Sequence, residues 1–181
     1  MDKTSSFLQM SRLIGKLKHL PRAGWVRKKV QTPESVAAHC YRVAMMALFL
    51  KNEIAESGAD SRKVVEMALC HDAAESVVGD ILPERFQTGK KISKEEKYRL
   101  EKEAVDTFFS CQEMKCLFDE YVQKTTLEAV WCHDLDVLDM ILQAKEYLEA
   151  NPSYDVTEFF ENKDRLETPF CQKLAETIIN G

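Results

Sequence analysis

The chemistry this chain can do is concentrated in a few histidines and carboxylates. His71 is followed directly by Asp72, and Glu75 comes one helical turn later. In a continuous helix Glu75 projects about 40° from His71 and Asp72 about 100° from it, so all three leave one broad face. Val64 and Ala68 share that face. Burying an imidazole beside two carboxylates is costly unless a charge compensates them. A divalent cation does so, and imidazole with carboxylate is a donor set for several transition metals. The competing reading is a polar, water-facing patch on an amphipathic helix. His39 lies in a very apolar stretch, where a lone histidine is more often a satisfied core residue than a ligand. A third group, His133-Asp134-Leu135-Asp136 with Asp139 one turn on, has apolar neighbours on both sides. Spacing leaves Asp134 and Asp136 as rival ligands.

These side chains need a helical frame. Phe7, Met10, Leu13, Ile14 and Leu17 recur at helical spacing and predict a first amphipathic helix, broken at Pro21–Gly24. Thr32-Pro33 reads as N-cap and first residue of a second helix, which carries His39 and runs through about 55. It is apolar nearly all round, so it is expected to be central. Asp60 caps a third helix over about 61–78, which carries His71, Asp72 and Glu75. Gly79-Asp80 and Pro83 end it, and a polar loop runs to Ile92. Ser93-Lys-Glu-Glu96 is a capping box opening a fourth helix, with Leu100, Ala104, Val105, Phe108 and Phe109 inward. A fifth helix is expected over about 113–124 and a long sixth over about 126–150, buried all round. A short helix at 157–162 and a last one capped by Thr168-Pro169 complete the chain. Nothing has a strand period, a linker or a repeat. The expectation is an all-α single domain, a helical bundle over 1–181 with its core at about 7–150 and a helical extension at 151–181.

Composition narrows the function classes. The 181 residues are 45 % hydrophobic, and with only 6 Gly and 5 Pro there are few breakers for long helices. The 25 basic and 30 acidic residues give a net charge of −5, which argues against a nucleic-acid platform. The charge is uneven: from Lys3 to Pro33 there are eight basic residues and no acidic one. Lys3–Lys18 reads as a solvated face, and Arg22–Lys29 as an attraction for an anionic ligand. The 6 cysteines show no CxxC spacing and read as reduced thiols of a cytoplasmic protein, although a basic amphipathic start also fits a mitochondrial presequence. The longest apolar run, 43–50, falls short of the ~20 residues of a membrane span, so no membrane partner is expected.

The order His39, then His71-Asp72, then a later Asp resembles the H…HD…D signature of the HD-domain metal-dependent phosphohydrolases. Three blocks carry the resemblance: PRAGWVRKKVQTPESVAAH from Pro21, HDAAESVVGDILP from His71 and LDVLDMILQAKEY from Leu135. They are closest to the 5′-deoxynucleotidase branch and cover most of residues 7–150. The resemblance implies one divalent metal ion (Mn, Co, Fe, Zn or Mg) held by His39, His71, Asp72 and Asp136. It makes Glu75 the acid/base carboxylate. Arg22, Trp25 and Asp80 become substrate-binding residues, with Trp25 against the sugar. The implied reaction is hydrolysis of a deoxynucleoside 5′-monophosphate, and a homodimer is implied as well. Two positions depart from the pattern. Gly24 stands where the bacterial enzymes have a phosphate-binding Arg, which leaves Arg22 as the nearest substitute. Ala38 stands where an acidic residue often precedes the first ligand, so a partner for His39 is either missing or supplied from elsewhere. Ser76 after Glu75 argues against the guanosine tetraphosphate hydrolases, which typically show HDxxED. The alternatives are another HD-family phosphohydrolase or phosphodiesterase, or a helical interaction module with a structural metal.

Overall fold

The structure is a computed structural model that describes residues 2–89 and 91–181. Among these residues there are ten α-helices and no strand: α1 Lys3–Lys16, α2 Ala23–Arg27, α3 Val36–Phe49, α4 Lys51–Glu56, α5 Ser61–Cys70, α6 Glu75–Val78, α7 Lys94–Phe108, α8 Gln112–Gln123, α9 Leu127–Ala150 and α10 Pro169–Asn180. The fold class is all-α, as the periodicity predicts. Helix α9 is the axis. It buries Ala129, Cys132, Leu135, Val137, Leu138, Ile141 and Ala144, residues that together point to all sides of the helix. Helices α3, α5, α8 and α10 pack on it, and α3 also packs along α5. Val43, Ala47, Val64, Met67 and Ala68 fill the space between them. No helix of the described residues is long and apolar enough to cross a membrane.

Several ends fall where side chains offer caps. Asp60 accepts from Arg62 N and Lys63 N, Ser93 from Glu96 N, and Thr168 from Cys171 N. Such oxygens satisfy the orphan amides of a first turn. The C-terminal segment continues the bundle: a 3₁₀ stretch, Thr157–Arg165, and α10 both pack on α9. Its 3₁₀ geometry and its length differ from the expected helix at 157–162.

Several helix boundaries differ from the expected ones. Helix α3 starts after Ser35, whose side chain accepts from Ala38 N, and not at Thr32-Pro33. Residues 34–36 are held extended by pairing with 20–22: Arg22 N donates to the Glu34 carbonyl at 3.0 Å and Val36 N to the Leu20 carbonyl at 2.9 Å. The predicted second helix also bends at Leu50, splitting α3 from α4. The first helix does end ahead of the predicted break at 21–24, at Lys16, and the last two residues of that break, Ala23 and Gly24, open the short helix α2. Finally, the helix expected over 61–78 stops at Cys70, and a tight turn leads into α6. The turn closes with i→i+3 bonds, Ala73 N to the Cys70 carbonyl and Glu75 N to the Asp72 carbonyl, both 3.0 Å. His71 Nδ1 lies 2.8 Å from the Ala68 carbonyl, the acceptor a continuing helix would give to Asp72 N.

Candidate metal centre

Three parts of the chain meet at one point. His39 comes from the second turn of α3, His71 and Asp72 from the turn after α5, and Asp136 from α9. His39 Nε2 lies 3.3 Å from His71 Nε2, 3.2 Å from Asp136 Oδ1 and 3.6 Å from Asp72 Oδ2. His71 Nε2 is 3.4 Å from the same Asp72 oxygen. His39, His71 and Asp72 each bring a ligand atom within 4.8 Å of the others.

The opposite ring nitrogens are already engaged. His71 Nδ1 donates to the Ala68 carbonyl at 2.8 Å, which leaves Nε2 as the ring nitrogen turned to the centre. His39 Nδ1 is 2.6 Å from Asp139 Oδ2. Two imidazole nitrogens and two carboxylates pointing at one spot repel one another unless a cation is shared among them. Burial and Arg22 pull the His39 imidazole down, but hydrogen bonds to Asp136 and Asp139 outweigh them and push it up to about 9. Burial raises the Asp136 carboxyl, yet His39 and Arg22 hold it well below the usual carboxylate range. Asp72 is lowered too, by His71, Arg22 and His39 against burial. The donor set thus fits a divalent cation, which would take the place of the His39 Nε2 proton.

Glu75 stands beside this point on α6, only 3 % exposed. Burial, then Asp72 and Asp80, push its carboxyl well above the ordinary value. Its Oε2 has no hydrogen-bond partner, an orphan that a bound ligand would satisfy. Arg22 reaches across with Nη1 at 3.0 Å from Asp72 Oδ2 and Nη2 at 3.7 Å from Asp136 Oδ1. Asp80 accepts from Ala23 N at 2.8 Å, fixing α2 just after Arg22.

Trp25, expected against the sugar, is a core side chain here, 2 % exposed and packed on Tyr147 and Phe159. It touches the site region through Glu34, whose Oε1 accepts from Trp25 Nε1 at 2.9 Å. The rival carboxylates of α9 part company. Asp136 faces the imidazoles, whereas Asp134 is buried and accepts from Glu167 N, Thr168 N and Thr168 Oγ1, tying down the start of α10. His133 stacks on Tyr121 with ring centroids 4.0 Å apart. The basic stretch is largely spent: Arg27 pairs with Glu158, and Lys28 pairs with Asp155 and Glu158.

Sequence reasoning missed several supporting residues. Asp139 supplies the partner that Ala38 does not, and Arg42 clamps it while also binding Gln143 and Glu146. Tyr121 OH donates to Asp136 Oδ2 at 3.3 Å. A signal existed for the first two, because Arg42 and Asp139 each lie three residues beyond a ligand on the same helix face. Tyr121 and Glu34 carried none, since their partners lie on other elements.

The HD domain family model matches residues 14–176. A Dictyostelium discoideum protein named 5′-deoxynucleotidase HDDC2 is 42 % identical over 176 residues, covering 92 % of this chain and 87 % of that protein. The human protein of the same name is 42 % identical over 155 residues, covering 81 % and 72 %. Among solved structures, a conserved hypothetical protein from Pyrococcus furiosus superposes with a TM-score of 0.80 at 32 % identity, over 96 % of this chain and 99 % of that one.

Proposed function

Because this chain belongs to the HD domain family, we propose that it is a 5′-deoxynucleotidase, a metal-dependent phosphohydrolase acting as a single HD domain over 1–181. It converts a deoxynucleoside 5′-monophosphate and water into a deoxynucleoside and inorganic phosphate. The observation that carries this reading is the convergence of His39, His71, Asp72 and Asp136 beside the buried, unpartnered oxygen of Glu75. The names of the relatives support the substrate class.

A divalent cation held by those four residues supplies Lewis acidity, acidifying water and drawing charge from phosphoryl oxygens. The chain's own groups do the rest. Asp139 and the Ala68 carbonyl fix both imidazoles with Nε2 toward the centre. Burial, with Asp72 and Asp80, raises the Glu75 carboxyl well above the ordinary carboxylate value and so favours the form that carries a proton. Glu75 hands that proton to the departing 5′ oxygen, whose alkoxide is a poor leaving group. Arg22 offers guanidinium donors to the phosphate and offsets one of its charges. Asp80 sets the position of Arg22 through the Ala23 amide, and Trp25, packed on Tyr147 and Phe159, anchors α2 in the core.

Six free cysteines support a reducing, cytoplasmic location. The homodimer is proposed to use the outer face of α3, where Tyr41, Met45, Leu48 and Phe49 are exposed along one stripe.

Phosphate release is measured across deoxynucleoside and ribonucleoside monophosphates with Mn²⁺, Co²⁺ or Mg²⁺. The wild type is expected to prefer the deoxy series. Glu75→Gln is expected to lower kcat at least 100-fold with its metal content unchanged. Undiminished turnover by that variant removes Glu75 from the mechanism.

A further inference from the structure

Helix α6 ends at Gly79, whose φ of +81° turns the chain sharply into residues 80–83. Two consecutive residues of this turn are tied to different helices. Asp80 accepts from the first amide of α2, next to Arg22, at 2.8 Å, and the Ile81 carbonyl accepts from Lys97 Nζ at 3.2 Å. The turn that follows the helix of Glu75 therefore ties down two cations, Arg22 at the N-cap of α2, through the amide after it, and Lys97 in the first turn of α7, directly.

Lys97 is more than a tether. Its side chain is only 33 % exposed, and its other partner is Glu101 Oε1 at 3.5 Å, long for a charge-assisted bond. The ammonium has three donors and spends one of them well. A neutral amide could hold the Ile81 carbonyl without the penalty of burying a charge. Burial works against the charged form, but Glu101, Glu75, Asp72 and Asp80 keep the ammonium protonated. Three of those four carboxylates belong to the candidate site itself. A phosphate monoester dianion brings two negative charges and three non-bridging oxygens, and Arg22 offsets only one charge.

We propose that Lys97 is the second cation of the phosphate subsite, binding a non-bridging oxygen of the substrate monoester across the 79–83 turn from Arg22. The assignment rests on the phosphohydrolase reading above and adds to it the residue that recognises the dianion.

The test compares wild type, Lys97→Met and Lys97→Arg as metal-loaded, full-length proteins. Three quantities are measured: KM and kcat for a deoxynucleoside monophosphate, Ki for inorganic phosphate, and Ki for the deoxynucleoside product. Lys97→Met is expected to raise KM and the phosphate Ki together, by about 10-fold or more. The deoxynucleoside Ki is expected to stay within twofold, and Lys97→Arg to recover most of the phosphate affinity. A merely structural lysine would move both inhibition constants alike, and that result overturns the proposal. So does a phosphate Ki unchanged in Lys97→Met. If the wild type turns over no nucleotide, the phosphohydrolase reading falls, and the Lys97 assignment falls with it. If turnover is normal and only the Lys97 predictions fail, the assignment alone is lost.

Discussion

At His39 the two ring nitrogens answer to different partners. Nδ1 is given to Asp139, and Nε2 points at Asp136, His71 and Asp72. Without metal the ring keeps both protons up to about pH 9. Metal has to displace the Nε2 proton, so apparent affinity is expected to rise about 10-fold per pH unit between pH 6.5 and 9. Co²⁺ titrations at pH 6.5, 7.5 and 8.5 measure this, and a flat series contradicts it. Stability runs the other way in the metal-free protein. The folded pKa of His39 is raised, so its contribution is complete below about 6.5 and is lost as pH climbs through about 9. Metal-free protein is therefore expected to melt lower at pH 9.5 than at pH 7, and metal-loaded protein is not. At this scale the family resemblance named His39, His71 and Asp72, which the fold does bring together as a candidate ligand group, but the support for His39 could not be read from the sequence. Asp139 lies 100 residues away, and only the packing of α3 on α9 brings it to the ring.

Helix α9 carries two carboxylates two residues apart with opposite duties. Asp134 is an anchor for α10, holding the 167–168 turn with its charge, while Asp136 faces the imidazoles. Asp134→Ala is expected to destabilise the protein by about 1.5–3 kcal/mol, the range for hydrogen bonds to a charged group, with bound metal unchanged. Asp136→Ala is expected to lose metal with little loss in thermal stability of the metal-free protein. Calorimetry and metal analysis of the two variants separate the roles, and swapped outcomes would reverse the assignment. Periodicity could not choose between the two, because α9 is buried all round and has no solvent face to orient it. Most helices were legible because caps such as Asp60, Ser93 and Thr168 act within a few residues of the ends they stop. The end of α5 was not, because His71 stops it by taking the Ala68 carbonyl, a choice tied to the metal centre and invisible to helix propensity. Likewise α3 starts late because residues 34–36 pair with 20–22, a contact between segments rather than a local preference.

Over the whole molecule, part of the charge asymmetry that stands out in the sequence is internal: of the eight basic residues from Lys3 to Pro33, Arg22, Arg27 and Lys28 form ion pairs. Arg27 and Lys28 are matched by Asp155 and Glu158, so the N-terminal basic stretch clasps the C-terminal part of the chain and leaves Arg22 for the site. The surface also carries an apolar stripe on α3. Phe49 is 85 % exposed, and Tyr41, Met45 and Leu48 extend the same stripe. If that stripe joins two copies, Leu48→Glu with Phe49→Glu is expected to convert a dimer to a monomer in analytical ultracentrifugation. Catalytic constants per site are expected to stay within threefold. A wild type that sediments as a monomer removes the homodimer.

The four proposed metal ligands come from α3, from the turn after α5 and from α9, with most of the chain threaded between the first and the last. During synthesis, at roughly 5–20 residues per second, His39 and the His71–Asp72 pair leave the ribosome well before Asp136. A chain caught at that stage holds two imidazoles and one carboxylate with no shared geometry, and so has little grip on any ion. The four-residue centre comes into being only when α9 docks. Which ion enters is then decided by the finished protein against the pool of free metals around it, after translation has ended.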